Sequence, residues 1–394
     1  MLDESGLISF AQELVRHKTL SGREEPAARL IVERMRLLGF DEAWVDDYGS
    51  VVGVVRGTSL GTGRRILLDA HIDTVDVSSP ERWTQAPFGG ELASGRIYGR
   101  GTSDLKGSAA AMLYGAASLI PEKWRLTGEV FVCASVVEEL IEGVALGHVM
   151  ERVRPDWVVI GEATQLNLNR GQRGRAEVAL ITLGRPAHSS NPQAGVNAAK
   201  KMIALLGEIE RLPMPTDDFL GPAILELTDI LSAPYPGYSV IPDRCQVTFD
   251  RRLLVGETEE DVLAPIREVI ERMRASDPHL IAEVQIAVSD LTTYTGEALK
   301  FKKMAPAWEI PEASPLVQGA LGALGRIGLN PAVGRYAFCT NGSYSAGVAG
   351  VPTIGFGPSR EEQAHVIDEY VELEQLVSAA RGFAAIARAM LGGG

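Results

Sequence analysis

Histidine and carboxylate residues stand where several strand-like runs of this sequence end, and His71 is the first of them. His71 follows the predicted strand 65–70 and precedes Asp73 by two residues. Residues at strand ends face the crevice in which α/β sheets bind their substrates. An Asp at this spacing can hydrogen-bond the second imidazole nitrogen and orient the ring for metal binding. His71 is therefore a candidate metal ligand and Asp73 its candidate partner, with a polar turn as the alternative.

Three further carboxylates occupy comparable positions. Asp104 lies among glycines in the segment 99–107, just before a predicted small-residue helix, where it could bridge two cations. Glu138 and Glu139 end the apolar run 130–137, and adjacent buried carboxylates are costly unless they are paired or bound to metal. One of them could bind a metal while the other accepts a proton from water. The alternatives are a helix N-cap at Asp104 and the start of an exposed helix at Glu138.

Two more candidates complete the set. Glu162 ends the apolar run 157–161, and His365 follows the glycine-rich loop 355–358. A set of two imidazoles and three carboxylates suits zinc, with cobalt and manganese as alternatives. The candidate ligands are His71, Asp104, Glu139, Glu162 and His365. A nucleotide-binding enzyme is disfavoured, because neither the GxGxxG nor the GxxxxGK[ST] phosphate motif is present.

Composition excludes several classes of protein. Acids outnumber bases by 51 to 38, and the resulting net charge of -13 argues against a nucleic-acid or anionic-membrane partner. Cys133, Cys245 and Cys339 form no CxxC pair, so neither a disulfide framework nor a thiolate zinc site is expected. The N-terminus lacks the pattern of a signal peptide, and no apolar run reaches the ~20 residues that span a bilayer. We therefore expect a soluble cytoplasmic protein.

The periodicity of apolar residues predicts an interrupted domain. Strands and helices alternate up to about residue 174, which is typical of an α/β layer with a largely parallel sheet. Residues 175–288 then follow a β-α-β-β-α-β pattern of the size of one ferredoxin-like unit. A linker follows, and helical and strand patterns resume. We predict an α/β domain formed by residues 1–174 and 297–394, interrupted by an α+β domain at 175–296.

These motifs, in this order along the whole chain, resemble a known family. It is the two-zinc metallopeptidase family of acetylornithine deacetylase, succinyl-diaminopimelate desuccinylase, aminoacylases and glutamate carboxypeptidases. The matching motifs are H-x-D at His71 and Asp73, G-x-x-D-x-K-G at 101–107, E-E at Glu138 and Glu139, the acid Glu162, and the final His365. The resemblance implies a phosphorylase/hydrolase-like catalytic domain with a mixed, largely parallel sheet and a ferredoxin-like lid and dimerisation domain.

The resemblance also implies the roles of these residues. Two divalent metal ions, zinc or alternatively cobalt or manganese, would share Asp104 as a bridging ligand. His71 and Glu162 would complete one site, and Glu139 and His365 would complete the other. The family often has a cis peptide after its bridging Asp, which would here be the bond that follows Asp104.

The remaining implied roles concern catalysis. Glu138 would be the general base, and Asp73 the orienting carboxylate. His188, in the segment 184–192, resembles the lid-domain His that stabilises the oxyanion, commonly in the partner subunit's site. The alternative for His188 is an ordinary residue at the start of a helix.

Three positions are candidate substrate contacts. Arg252 resembles the family's Asp-x-Arg element and would bind a substrate carboxylate bidentately, with a surface salt bridge as the alternative. Ser239 stands where many relatives have Asn. Asn341 lies in the segment 339–342, where many deacylases have a segment that contains Asp. These departures resemble a branch often labelled selenium-metabolism hydrolases.

The resulting functional expectation is a homodimeric enzyme that hydrolyses an amide bond next to a free carboxylate, by means of metal-activated water. Its substrates would be N-acyl amino acids or small peptides. A carboxypeptidase or dipeptidase is the alternative within the same chemistry, because the metal core does not decide specificity. A non-catalytic binding homologue is the other alternative, and it would be expected to lack ligands that this chain retains.

Overall fold

The chain forms two compact units, seen in a computed structural model that describes residues 1–59 and 63–392. The first unit contains Met1–Gln172, Asp290–Leu299 and Trp308–Gly394, and the second contains Arg173–Ser289 and Lys300–Ala307. The sequence predicted one return to the first domain, at 297. In the structure the chain returns at 290, leaves again at 300 and returns finally at 308. The difference arises because the strands Ile281–Ile286 and Met304–Ala305, on either side of Asp290–Leu299, both pair with the strand Gly174–Leu183 of the second unit.

The described residues form eight α-helices, most of which bury an apolar face. Their bounds are α1 Glu4–Val15, α2 Glu25–Leu38, α3 Gly107–Ala117, α4 Val144–Val153, α5 Ala198–Ile209, α6 Glu259–Ser276, α7 Pro315–Arg326 and α8 Leu373–Leu391. Side-chain caps define several starts. Asp3 accepts a hydrogen bond from the N–H of Gly6 at α1, and Thr258 and Asp261 form a reciprocal capping box at α6.

Twenty-one strands, several of them only two residues long, occur in the same described residues. Their bounds are β1 Glu42–Val45, β2 Val51–Arg56, β3 Arg65–His71, β4 Glu91–Ala93, β5 Arg96–Tyr98, β6 Glu129–Ser135, β7 Trp157–Ile160, β8 Leu168–Gln172, β9 Gly174–Leu183, β10 Thr216–Asp217, β11 Gly221–Pro222, β12 Ile224–Ala233, β13 Arg244–Leu253, β14 Ile281–Ile286, β15 Val288–Thr292, β16 Ala298–Lys302, β17 Met304–Ala305, β18 Trp308–Glu309, β19 Val333–Tyr336, β20 Thr353–Gly355 and β21 Tyr370–Glu372.

The first unit is built on a mixed sheet with a parallel centre. The strand order is β1-β2-β6-β3-β7-β20-β8-β18, with β19 also paired to β8. Strands β6, β3, β7 and β20 run parallel to one another, whereas the pairs towards both edges are mostly antiparallel. The central strands are short apolar runs and almost wholly buried, as expected for strands covered on both faces. The predicted α/β fold with a mixed sheet is confirmed.

Small residues let two helices of the first unit approach closely. Helix α3 is rich in alanine and glycine and is buried on nearly every side. A Cβ atom at Gly115 would lie only 2.5 Å from the carbonyl oxygen of Ala380 in α8, so this contact requires glycine. On the same helix α8, the ring of Phe383 meets that of Phe356 edge-on, with centroids 5.3 Å apart.

The parallel strands bring the predicted ligands to one edge of the sheet. Strand β3 ends at His71, which lies opposite Ser135 at the end of β6, and Asp69 lies opposite Ile160 at the end of β7. The residues that follow these strands therefore leave the sheet side by side. Asp104 lies in the turn Thr102–Lys106, between β5 and α3.

The second unit is an antiparallel sheet with two helices. Strands β9, β12, β13 and β14 and helices α5 and α6 follow the predicted β-α-β-β-α-β order, and the sheet order is β12-β13-β9-β14. One apolar face of the sheet packs with the helices in a core that includes Val178, Leu205 and Ile266. Strand β12 lies at an edge and exposes much of its length, including Ile230 and Leu231. Among the described residues, no helix is long and apolar enough to cross a bilayer.

Replacement of Phe383 by alanine should destabilise the first unit. Phe383 is fully buried, and a Phe→Ala change in a packed core typically costs about 3–5 kcal/mol. Urea unfolding followed by tryptophan fluorescence measures this unit alone, because all five tryptophans belong to it. Leu37→Ala is the matched control, since Leu37 is 81% exposed. Equal unfolding midpoints for the two variants would contradict this account of the core.

Candidate metal centre

The carboxylate of Asp104 lies between two imidazoles, one facing each oxygen. Its Oδ1 is 2.9 Å from Nε2 of His71, and its Oδ2 is 3.0 Å from Nε2 of His365. These residues come from the end of β3, the turn before α3, and the loop before β21. The fold thus brings together three side chains that are far apart in sequence. The peptide bond between Asp104 and Leu105 is cis, as the family resemblance implied.

Two more carboxylates surround His71. Oε1 of Glu162 lies 3.4 Å from Nε2 of His71, and Oε2 of Glu138 lies 3.7 Å from the same atom. Glu162 follows β7 and Glu138 follows β6, the two strands that flank β3. All three side chains are buried, so their polar atoms face one another rather than solvent.

Glu139 faces the other imidazole. Its Oε2 lies 3.1 Å from Nε2 of His365, and its Oε1 accepts a hydrogen bond of 3.2 Å from the N–H of Val75. His365 is itself half exposed, unlike the buried His71. The cluster therefore has a buried half around His71 and a more accessible half around His365, joined by Asp104.

Asp73 orients this cluster, by a contact that differs from the predicted one. Its carbonyl oxygen lies 3.0 Å from Nδ1 of His71, closer than its carboxylate Oδ1 at 3.5 Å. A carbonyl can only accept, so Nδ1 carries a proton, and Nε2 is the atom that would offer a lone pair to a metal once it is unprotonated. The carboxylate instead accepts the N–H groups of Glu138 and Glu139, both at 3.1 Å, and the hydroxyl of Ser21 at 2.7 Å.

Glu24 is a buried carboxylate that the sequence analysis missed. Its Oε1 accepts hydrogen bonds from the N–H of Gly22 at 2.8 Å and of Val137 at 3.2 Å. Val137 has a φ of 56°, which is unusual for a β-branched residue. Burial raises the pKa of Glu24 to about 7. No local pattern marks its contact with Val137, because the two residues lie 113 positions apart along the chain.

Arg100 and Glu369 were also missed. They form a buried ion pair with Nη1 of Arg100 2.5 Å from Oε2 of Glu369. The other oxygen of Glu369 accepts the N–H groups of Ser103 and Asp104, at 2.8 and 3.2 Å. The only local signal was that Glu369 lies four residues after His365 and Arg100 four residues before Asp104.

Burial and crowding shift the titration of the whole cluster. Burial raises the pKa of Glu138 well above its usual value, and that of Glu162 to about 7. Hydrogen bonds to Asp104 and Glu139 raise the pKa of His365 to about 10. Burial would lower the pKa of His71, but the surrounding carboxylates outweigh it and raise that pKa well above normal.

These donors fit two divalent metal ions. Buried carboxylates repel one another and are costly without compensating positive charge. Among the described residues, two groups of ligand atoms lie within 4.8 Å of one another. One group is His71, Glu138 and Glu162, and the other is His71, Asp104 and Glu139. The groups share His71, and the short distances of His365 to Asp104 and Glu139 add a second imidazole beside the second group.

His188 and Ser239 belong to the second unit and lie on adjacent segments there. The N–H of Ser189 donates to the carbonyl oxygen of Ser239 at 2.7 Å, and His188 forms an isolated bridge with Val240. The imidazole Nδ1 of His188 accepts a hydrogen bond of 3.1 Å from the N–H of Ser190. The hydroxyl oxygen of Ser190 lies 2.7 Å from the same Nδ1. Both predicted residues are exposed.

Arg252 also lies in the second unit, where its guanidinium is already paired. Its Nε is 2.7 Å from Oδ1 of Asp250, and its Nη2 donates to Oδ2 of the same residue at 3.3 Å. The salt bridge that was the alternative interpretation is therefore present. Arg175 shares this carboxylate, with its Nε 2.9 Å from Oδ2 of Asp250.

Asn341, a predicted substrate contact, forms hydrogen bonds within the first unit. Its side chain is buried, and its Nδ2 donates to Asp69 at 2.9 Å and to Ser135 at 3.0 Å. Its Oδ1 accepts the N–H of Gly143 at 2.7 Å. The amide thus bonds on both sides to buried groups of the protein, and the substrate contact stays a prediction.

Comparisons with known proteins identify the family of this chain. Residues 67–389 match peptidase family M20/M25/M40. A relative from Escherichia coli strain K12, described as the uncharacterized protein YgeY, is 34% identical over 391 residues, which cover 97% of this chain and 94% of YgeY. Acetylornithine deacetylase of Buchnera aphidicola is 28% identical over 314 residues, which cover 78% of this chain and 76% of the deacetylase.

A solved structure shares the fold. The YxeP protein of Bacillus subtilis, described as a dinuclear metal binding peptidase, has a TM-score of 0.74 and 16% identity, with 98% of each chain covered. At this identity the likeness shows the fold alone, and the family rests on the sequence match. The chain belongs to peptidase family M20/M25/M40, and it is a metal-dependent hydrolase of amide bonds in peptides or amino-acid derivatives.

Proposed function

We propose that this protein binds two divalent metal ions and hydrolyses the amide bond next to a free carboxylate in N-acyl amino acids or small peptides. The observation that carries the proposal is the position of Asp104, whose two carboxylate oxygens each face a different imidazole. A carboxylate shared in this way suits a ligand that bridges two cations. Zinc is the proposed metal, with cobalt and manganese as alternatives.

The proposed ligands divide into two sets that share Asp104. His71 and Glu162 would hold one ion, and Glu139 and His365 would hold the other. When bound, two such ions supply a water with a pKa lowered towards ~7 and a positive charge that polarises the substrate carbonyl. The protonated Nδ1 of His71 supports this assignment, because it leaves Nε2 available as a ligand atom.

Glu138 is the proposed general base. Its carboxylate is buried at 3.7 Å from Nε2 of His71, and its backbone N–H is held by Asp73. Burial raises its pKa, so it can accept a proton from the attacking water and release it again. The new C–O bond forms as the water loses that proton to Glu138. The C–N bond then breaks, and Glu138 passes the same proton to the leaving amine nitrogen.

The second unit would supply the remaining groups. We assign to His188 a hydrogen bond to the developing oxyanion, and its exposed imidazole supports an ability to reach a bound substrate. Arg252 would bind the substrate carboxylate, in competition with its partner Asp250. Ser239, on the segment beside His188, would contribute a weaker polar contact.

A substrate panel decides between a deacylase and a peptidase. One relative is described as an acetylornithine deacetylase, and the matching family is a peptidase family, so both classes are candidates. N-acetyl and N-succinyl amino acids should be compared with dipeptides and tripeptides, using protein loaded with zinc, cobalt or manganese. The proposal predicts that a free carboxylate beside the scissile amide is required. Turnover of none of these compounds by metal-loaded protein would favour a non-catalytic binding homologue.

A homodimer formed through the second unit is proposed as well. Strand β12 is an edge strand, and an exposed edge with apolar side chains is a typical surface for pairing with another copy. Ile230 is 57% exposed and Leu231 67% exposed, although both are large and apolar.

A cytoplasmic location is proposed in addition, supported by three cysteines that are buried free thiols.

Replacement of Glu138 by glutamine should abolish turnover and leave metal binding intact. The amide keeps the size of the side chain but cannot accept a proton, and loss of general base catalysis typically lowers kcat by about 10²- to 10⁴-fold. Metal content by mass spectrometry and kcat on the best substrate of the panel should be measured together. Near-normal kcat with two ions bound would reject Glu138 as the base.

Metal affinity should fall as the pH falls. The imidazoles of His71 and His365 must be unprotonated to bind metal, and the carboxylates around them raise both pKa values in the free protein. Protons therefore compete with metal throughout the neutral range, and binding should release protons. Calorimetric titration of chelator-treated protein with zinc at pH 6 and pH 8 measures this. Equal affinity at both pH values, or uptake of protons, would contradict the ligand assignment.

Leu231→Lys should weaken the proposed dimer. A charge on the edge strand disfavours pairing of two copies, and we expect the dimer dissociation constant to rise about tenfold or more. Sedimentation velocity over a concentration series measures this, with Leu37→Lys in the first unit as the control. Activity per subunit should fall with dissociation if His188 acts in the partner's site. An unchanged dissociation constant would exclude β12 from the interface.

A further inference from the structure

Glu369 joins two loops that carry proposed metal ligands. Strand β21 begins directly after Glu369 and pairs with β5, so that Tyr370 lies opposite Tyr98. This pairing places the carbonyl oxygen of Glu369 2.8 Å from the N–H of Gly99, at the start of the loop that leads to Asp104. The loop that contains His365 ends at the same strand. One short strand pair therefore holds both loops at a common point.

The side chain of Glu369 makes a second connection between the loops. Its carboxylate accepts hydrogen bonds from Arg100 at 2.5 Å, from the N–H of Ser103 at 2.8 Å and from the N–H of Asp104 at 3.2 Å. A further contact joins the hydroxyls of Ser103 and Ser359, 2.8 Å apart. The carboxylate is fully buried and uses both oxygens. It therefore holds the backbone of Asp104 directly.

We propose that Glu369 is a positioning residue that sets the affinity of the second metal ion, the one assigned to Asp104, Glu139 and His365. This inference rests on the proposed two-metal site. The second set depends on two ligands from the loops that Glu369 joins, Asp104 and His365. The first set depends on only one of them, because His71 is the last residue of β3 and Glu162 lies two residues after the end of β7. Loss of the connection should therefore affect the two ions unequally.

An ordinary stabilising ion pair would behave differently. If Glu369 only neutralised the buried Arg100, its loss would lower the stability of the fold and weaken the binding of both ions to the same extent. The hydrogen bonds to the N–H groups of Ser103 and Asp104 argue for the positioning role, because they fix the ligand's backbone. Groups that orient metal ligands typically change metal affinity by about 10- to 100-fold when they are removed.

The test is a calorimetric titration of chelator-treated full-length protein with Co²⁺, followed in parallel by the visible absorption of the bound cobalt. We expect Glu369→Ala to weaken the second binding event by about 10- to 100-fold and to change the first by less than about threefold. Glu369→Gln keeps an acceptor oxygen for Ser103 and Asp104, so it should restore part of the second event. If Glu369→Ala does not fold, Glu369→Gln alone serves, with a smaller weakening of the second event expected.

Glu257→Ala is the matched control. Glu257 is also a carboxylate that binds a buried arginine, Arg251, and a backbone N–H, that of Leu254 at 2.7 Å. It lies in the second unit, and its loss should leave both cobalt affinities unchanged. Equal weakening of both ions in a folded Glu369 variant, or no weakening of either, would overturn the inference. Wild-type protein that binds fewer than two ions would instead reject the proposed two-metal site itself.

Discussion

Buried carboxyl groups converge at one edge of a sheet, and the electrostatic cost of that convergence governs the structure around it. Burial opposes ionisation and raises the pKa values of Glu138, Glu139 and Glu162. The groups beside them that can carry a positive charge are the imidazoles of His71 and His365, which lie within 3.7 Å of one or more of these carboxyl groups. A pair of divalent cations would provide the missing positive charge and would leave the imidazoles neutral. The cluster is therefore best understood as a site whose stability is linked to metal.

Much of this arrangement could be predicted from the sequence, because it follows from the ends of parallel strands. Strands β3, β6 and β7 are buried apolar runs that stand out from their surroundings, and each has a candidate ligand at its end or shortly after it. Since the carboxyl ends of neighbouring parallel strands lie side by side, short local patterns were sufficient to place His71, Glu138, Glu139 and Glu162 together. The βαββαβ order of the second unit was similarly visible as local periodicity.

Other features depend on contacts that no local pattern records. Glu24 binds the N–H of Val137, 113 residues away, and Glu369 binds that of Ser103, 266 residues away. Asn341 is a further case: its position in a motif predicts a substrate contact, and the structure adds that its amide is bound to buried groups on both sides. The type of a polar residue can be read from a sequence, whereas the direction in which its side chain points depends on the packed structure.

Carboxylates in this centre have two kinds of surroundings, which distinguish two tasks. Carboxylates that face an imidazole, such as Asp104 and Glu162, are the proposed metal ligands. Carboxylates that face backbone N–H groups, such as Asp73 and Glu369, instead hold the turns in which ligands lie. The ligands after β6 and before α3 lie in turns, so hydrogen bonding within the sheet does not position them. A second layer of buried acids holds these turns by hydrogen bonds to their N–H groups. This layer accounts for the carboxylates at this edge that are not proposed as metal ligands.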